Sequence, residues 1–381
     1  MANGKVKRKK RHQFWQEGRL DNGFLISVLF LLVFGLVMLF SSSYAYAYER
    51  FGNSYKFISK QLIFAVIGVA VMLFVSKINY HILSKLSIWI YGFSLFLLVL
   101  VLFLPPMSDE VGVKRWIAVK SFSFQPSEVG KFAIILLFSH LISINQEKMH
   151  NFKFIALLGA LLAGIAFPVF REPHISATVL ILVIGFVLMF IGGMSKLLAL
   201  TLAGGGSLGA VLFLNSNIIG YSSSRIKYWH NPWLDAKGEG FQTIQSLLAI
   251  GSGGILGRGF GQSRQKYLWV PEPHNDFIFS IICEELGLVG ALLVIAGFAL
   301  LIWRGFSIAM RAEDKFGMLL GIGLTFQVGL QAMLNIWVVT NTIPNTGISL
   351  PFFSYGGSSL IILLAEMGIV LSISRSANKD K

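Results

Sequence analysis

Cysteine is almost absent from this 381-residue chain, which holds one, Cys283, inside an apolar run. A single thiol excludes an internal disulfide and any zinc site built on cysteine pairs, and at this position it reads as a small packing residue. Charge is scarce as well. Asp, Glu, Lys and Arg make up 13% of the chain, about half the share in a soluble globular protein, so a water-soluble domain is excluded. Acid is scarcer than base, 18 residues against 32. The histidines never form His-Glu-x-x-His. Neither glycine tract, 251–261 or 354–359, has the Gly-Lys-Ser/Thr of a phosphate loop or the flanks of an α/β unit, so a dedicated metal site and nucleotide binding are disfavoured. The excess base does not mark a nucleic-acid binder, because it is scattered between apolar runs with no soluble domain to present it. Anionic lipid is its expected partner.

What the chain does have is apolar length: 55% hydrophobic residues and 33 Phe. Measured against the roughly 17 to 25 helical residues that cross a hydrocarbon core, ten runs qualify, at 23–40, 61–75, 83–104, 129–144, 154–169, 176–191, 197–214, 277–303, 316–340 and 358–374. Helices are expected rather than a lipid-facing barrel, whose strands would alternate with period two. The reading is an all-α polytopic membrane protein with about ten transmembrane helices and one large external loop. It divides into a basic cytoplasmic tail (1–22), a membrane domain (23–374) with its loop at 215–275, and a short carboxyl tail (375–381). Ala45-Tyr46-Ala47 superficially matches a signal-peptidase site, but the preceding run exceeds the roughly 7 to 15 residues of a signal core, which favours an uncleaved first helix.

Six of the seven residues at 5–11 are basic, which places the amino end in the cytoplasm. Ten crossings return the carboxyl end to the same side. That topology leaves 18 Lys and Arg inside and 14 outside, more external base than the rule predicts. Two segments hold most of it. The loop after the third run carries Lys114, Arg115, Trp116, Lys120, Glu128 and Lys131. The long loop carries Arg225, Lys227, Lys237, Arg258, Arg264 and Lys266 among Tyr221, Tyr228, Trp229, Trp233, Tyr267 and Trp269. Basic groups beside interfacial aromatics suit a surface that holds a phosphate-bearing lipid head group; simple head-group anchoring is the plainer reading of any single one.

Polar residues recur inside the apolar runs. Gln327, Gln331 and Asn335 fall on one helical face, either joining helices or lining a cavity. Glu284, Glu285 and Glu366 must find partners or stay protonated, and proton relay, cation site and internal salt bridge all stand open for them. The tract at 354–359 follows Pro344 and Pro351 and opens the last run, so its amides form either an anion-binding nest or a plain re-entrant turn.

The segment Pro271-Glu272-Pro273-His274-Asn275-Asp276 meets the eighth run at the external face. Transfer of a glycan from a diphosphate-linked lipid there requires a base for the attacking hydroxyl and cations for the departing diphosphate. Asp276 is the candidate base, provided its surroundings raise its pKa; a helix-capping role is the structural alternative. A loosely held Mg or Mn ion shared with substrate phosphates is compatible with so few carboxylates.

Arg115-Trp116, Gln125-Pro126-Ser127-Glu128 with Lys131, Asn231-Pro232-Trp233, Gly240-Phe241-Gln242, the segment Pro271 to Phe277, Glu284-Glu285-Leu286-Gly287 and the run Leu350 to Ser359 occur in the order and spacing of one family. Over nearly its whole length the chain resembles the SEDS family (shape, elongation, division and sporulation) that includes RodA, FtsW and SpoVE, with Cys283-Glu284-Glu285-Leu286-Gly287 leaning toward FtsW and SpoVE. The resemblance implies a ten-span peptidoglycan glycosyltransferase in the bacterial cytoplasmic membrane. It implies polymerisation of lipid II with release of undecaprenyl diphosphate, beside a class B penicillin-binding protein and other divisome or elongasome membrane proteins. It puts the essential acid on Asp276 and substrate contacts on Arg115, Trp116, Glu128 and Lys131. Lys120, Arg258, Lys266, Glu272, His274, Ser354 and Ser358 complete the candidate substrate-binding set. Many relatives have Pro-Asp where this chain has Pro173-His174, with Glu172 as a neighbouring substitute. A lipid flippase and a non-catalytic scaffold for a transpeptidase are the competing readings.

Overall fold

The computed structural model describes residues 14–105, 115–119, 122–172, 174–215, 228–267 and 269–377. Eleven long helices run in the order α1 (Asn22–Phe51), α2 (Lys56–Val75), α3 (His81–Phe103), α4 (Pro126–Ile144), α5 (Phe152–Arg171), α6 (Ile175–Gly192), α7 (Lys196–Asn215), α8 (Phe241–Gly253), α9 (Ile278–Met310), α10 (Lys315–Val339) and α11 (Gly357–Ala377). Among the described residues nine of these are long and apolar enough to cross a membrane, and α7 takes the seventh predicted place. The chain is a multi-pass helical membrane protein.

Local signals explain the ends. Asp21 caps α1 by accepting from the Phe24 amide at 2.9 Å, Asn151 caps α5, and Asp314 caps α10 through the Phe316 and Gly317 amides, each satisfying orphan donors of a first turn. Pro126 opens α4, where its missing N–H costs nothing. The first helix runs well past the predicted 40 to Phe51, because Ser41, Ser42 and Ser43 are buried against neighbouring helices rather than lying in a loop. Ala45 and Ala47 are therefore buried helix residues, which does not fit a cleavage site.

Burial grades from centre to rim. The spans α4, α10 and α11 are the most enclosed, while α2 and α3 show most of their apolar surface to lipid. The tightest pairings are α2 with α11, α9 with α10 and α3 with α4. On one face, residues 14–21 bridge the helix ends: Trp15 pairs with Ile78, Arg375 donates to the Gly18 carbonyl at 2.9 Å, and Asp21 lies 3.5 Å from Arg311. The opposite face carries the loops. There the strands β1 (Ile117–Val119) and β2 (Phe122–Phe124) form an antiparallel hairpin, Ile117 opposite Phe124, that hydropathy did not foresee. Nor did it foresee α8 within the predicted loop.

The ninth helix is broken at Gly287 (φ 63°, ψ −157°), a conformation open in practice only to glycine. The freed amides find partners in the turn after α8: Leu288 donates to Gly254 at 3.0 Å and Val289 to Ile255 at 3.2 Å, while Arg258 donates back to the Glu284 carbonyl at 2.9 Å. Backbone approaches so closely that a β-carbon on Gly257 would lie 2.1 Å from the Glu285 carbonyl oxygen. The first glycine tract thus repairs a broken membrane helix, the condition under which irregular backbone survives at membrane depth.

Candidate active site

Asp276 stands just ahead of α9, on a loop held from two sides. Asn335 on α10 donates to the Asp276 carbonyl at 2.7 Å and to the Ile348 carbonyl at 2.6 Å, so one amide ties this loop to the segment before α11. Ser354 Oγ donates to the Asn275 carbonyl at 2.8 Å, and the Tyr355 amide donates to the His274 carbonyl at 2.9 Å. Gly347, at φ 64°, passes so near the Asp276 carboxylate that a β-carbon there would lie 3.3 Å from Oδ2. Backbone and carboxyl position are therefore set by contacts from α10 and from the 345–355 segment, the rigid support that catalytic geometry needs.

The carboxyl opens into a cleft of about 460 Å³. Its walls come from distant parts of the chain: Lys60 on α2, Arg115 and Trp116 ahead of the hairpin, Glu128 and Lys131 on α4, His174 at the start of α6, Gln331 on α10, and Gly356 and Gly357 where α11 begins. Lys131 is buried, paired with Glu128 at 2.8 Å, and donates to the Gln331 side-chain Oε1 at 2.9 Å. Arg115 donates from Nε to the Glu172 carbonyl at 3.2 Å, which aims it. Three cationic side chains and three carboxyls share this space, and burial changes what they carry. Burial first, and the nearby Glu272 second, push the Asp276 carboxyl up to about 6, with Arg115 pulling the other way. Asp276 is then a carboxylate basic enough to accept a proton near neutral pH. Glu272 holds φ 45°, a left-handed conformation that costs a non-glycine residue about 1 to 3 kcal/mol and clusters at functional sites.

Burial also holds His174 neutral, its pKa lowered to about 3 with Arg115 and Lys131 adding to the effect. It drives the Glu172 carboxyl up to about 8 against the pull of Arg115. Glu172 is thus a protonated acid at neutral pH, and it does not line the cleft; its carbonyl rather than its carboxyl touches Arg115. Pro173 lies outside the described residues.

Of the predicted site residues, Asp276, Arg115, Trp116, Glu128, Lys131 and Glu272 meet in the cleft. Lys120 lies outside the described residues. Ser354 staples the Asp276 loop, and Ser358 donates to the Ser123 carbonyl at 2.8 Å, fastening the hairpin to α11. His274 is enclosed by Phe57, Tyr46 and Tyr355, with ring centres 4.1, 5.1 and 6.0 Å away, and burial lowers its pKa to about 4. Lys266 pairs with Glu285 at 2.9 Å, a carboxylate that also accepts from Ser41. Arg258 lies 3.7 Å from Glu284, which accepts from the Arg264 amide at 3.0 Å and the Gln265 amide at 3.2 Å. The Glu284 and Glu285 pair therefore anchors the long loop onto α9 and α1, the salt-bridge alternative. Lys60, Asn275, Gln331 and His174 line the cleft without having been predicted as site residues. Lys60 had a usable signal, a second lysine one turn into an apolar helix after Lys56. Among the described residues no three His, Cys, Asp or Glu side chains converge as a metal site. Among the described residues the carboxyls that line the cleft are those of Glu128, Glu272 and Asp276, and Glu128 is already paired with Lys131 at 2.8 Å, too few free acids for a dedicated magnesium site.

Comparison with known proteins agrees with this architecture. A family model described as a cell cycle protein, covering FtsW, RodA and SpoVE, matches residues 22–379. Stage V sporulation protein E of Bacillus subtilis is 39% identical over 356 residues, spanning 92% of this chain and 96% of that protein. A probable peptidoglycan glycosyltransferase FtsW of Geobacter sulfurreducens is 36% identical over 358 residues, covering 93% and 95%. Among solved structures, a chain from a study of structural coordination of polymerization and crosslinking by a peptidoglycan synthase complex superposes with TM-score 0.78 at 28% identity, covering 95% of this chain and 99% of that one. The rod shape determining protein RodA of Thermus thermophilus superposes with TM-score 0.70 at 25% identity, covering 95% and 98%. A match along nearly the whole length, with the same helical architecture, places this chain in the FtsW, RodA and SpoVE family.

Proposed function

We propose that the chain is a peptidoglycan glycosyltransferase that polymerises lipid II at the outer face of the bacterial cytoplasmic membrane and releases undecaprenyl diphosphate. The observation that carries this reading is the meeting, in one cleft on the loop-bearing face, of a carboxylate of raised pKa with Lys60, Arg115 and Lys131. In the reaction a sugar hydroxyl loses its proton to Asp276 and its oxygen bonds to the anomeric carbon of a second lipid-linked sugar. The bond from that carbon to the diphosphate oxygen breaks, and its electron pair leaves on the diphosphate. Lys60 and Arg115 stabilise that developing charge as fixed cations at the edge of a low-dielectric region, where such contacts act most strongly. Lys131, already bonded to Glu128 and Gln331, holds the cleft wall and adds its field.

The basic amino tail supports a cytoplasmic position for both chain ends, and with it an external position for the cleft. Because a structural neighbour comes from a complex that joins polymerization and crosslinking, a class B penicillin-binding protein is the proposed partner, within a division, elongation or sporulation assembly. Purified protein with that partner, mixed with lipid II in detergent, is expected to yield glycan polymer. A flippase or scaffold has no reaction to perform in micelles, so absence of polymer there would reject this reading.

A further inference from the structure

A second external cavity, also about 460 Å³, is formed by Tyr228, Trp229, Phe241, Gln242, Asn345 and the charged turn at 235–239. It shares a wall with the cleft. Asn345 donates to Gln242 Oε1 at 3.1 Å and accepts from the Gly347 amide at 3.2 Å, and Gly347 is the residue pressed against the Asp276 carboxylate. On its other side Pro271 lines this cavity while the next residue, Glu272, lines the cleft. The two spaces therefore lie side by side, on either side of the backbone at 271–272 and 345–347.

The chemistry of the two spaces differs. The cleft holds cations that suit a diphosphate. The second cavity has one cation against two carboxyls: the Asp235 carboxylate is occupied by the Gly238 and Glu239 amides at 3.0 and 3.1 Å, and Lys237 and Glu239 stand exposed at the rim. What remains is aromatic surface beside carboxamides. A pyranose offers the same pair, an apolar C–H face and an edge of hydroxyl and acetamido groups. The aromatic wall is preset, because Trp229 donates from Nε1 to the Asn341 carbonyl at 3.0 Å while Asn341 donates back to the Trp229 carbonyl at 3.2 Å. A preset wall avoids ordering cost on binding.

We propose that this cavity is a saccharide subsite, holding the uncharged part of the growing glycan beyond the sugar that reacts at Asp276. This assignment rests on the polymerase reading, and a binding experiment separates the two. The probe is chitotetraose, the soluble β-1,4-linked tetramer of N-acetylglucosamine, titrated into the purified protein in detergent and followed by calorimetry. Saturable binding is expected, unchanged in Asp276→Asn and weakened about fivefold in Gln242→Ala, the effect of losing about 1 kcal/mol of hydrogen bonding. A melting temperature equal to wild type shows that Gln242→Ala is folded. In the polymerase assay Gln242→Ala should give shorter strands. No saturable binding by wild type, or equal binding and equal strand length in folded Gln242→Ala, would overturn the subsite. A protein that polymerises lipid II but ignores the tetramer sinks the subsite alone; one that binds the tetramer yet makes no polymer sinks the polymerase reading.

Discussion

The raised pKa of Asp276 makes a prediction with two readouts of opposite sign. An ordinary aspartate stands at 3.8 and this one at about 6. Between those values the folded protein binds more protons at this site than the unfolded chain, so stability falls as pH rises through that window, and the full cost is felt above 6. Two pKa units correspond to about 3 kcal/mol. The carboxyl is half-buried and faces the cleft rather than being sealed, which discounts the cost to about 1 to 2 kcal/mol by solvent screening. Asp276→Asn removes the charge and should therefore melt higher than wild type at pH 7.5 and alike at pH 4, measured by thermal unfolding in detergent. Its activity should drop by about 10² to 10⁴-fold, the contribution of a general base. In wild type the rate of lipid II polymerisation should fall about tenfold per unit below pH 6. Glu272→Gln, which deletes the second cause of the shift, should move that acid limb downward. An acid limb near 4 in wild type, or a variant that is less stable at pH 7.5, would refute the reasoning.

Three further outcomes follow from the scaffold around the site. Gly287→Ala places a β-carbon 2.4 Å from the Gly257 nitrogen at positive φ, so it should cost several kcal/mol and lower the melting temperature by many degrees, about as for other strained backbone sites. Lys266→Ala leaves the fully buried Glu285 without its cation and should destabilise by about 3 to 5 kcal/mol, with Lys266→Met combined with Glu285→Gln recovering most of the loss; equal melting of the single and double variants would contradict the pairing. A cysteine at exposed Gln262, with Cys283 changed to serine, should react with an impermeant maleimide added outside intact cells, and protection there would place the loop on the wrong side.

The helices were legible because membrane-length apolar runs admit few alternatives, and Asp276 was legible because an acid at a span's mouth is costly. What stayed hidden depended on partners remote in the chain. Nothing local says that Ser41 bonds Glu285, so α1 was read as ending near 40 when it continues to Phe51. The broken α9 was equally opaque, since Gly287 is tolerable only because a glycine turn some thirty residues upstream supplies partners for its amides. Lys266 and Arg258 looked like ligands for phosphate because Glu284 and Glu285 had no visible function. Once each acid is paired, the basic residues left facing the cleft are a smaller set, with Lys60 added. The polar stripe of α10 proved to be divided in its roles: Asn335 fixes the Asp276 loop, Gln331 lines the cleft, and Gln327 donates to Glu366 at 3.0 Å.

In the proposed reaction Asp276 performs chemistry on a substrate held by other residues. Its most direct test is to measure, on the same Asp276→Asn preparation, lipid II binding and lipid II polymerisation. Binding should be retained and polymer lost. Polymer made at the wild-type rate, or binding and polymerisation lost together, would contradict it.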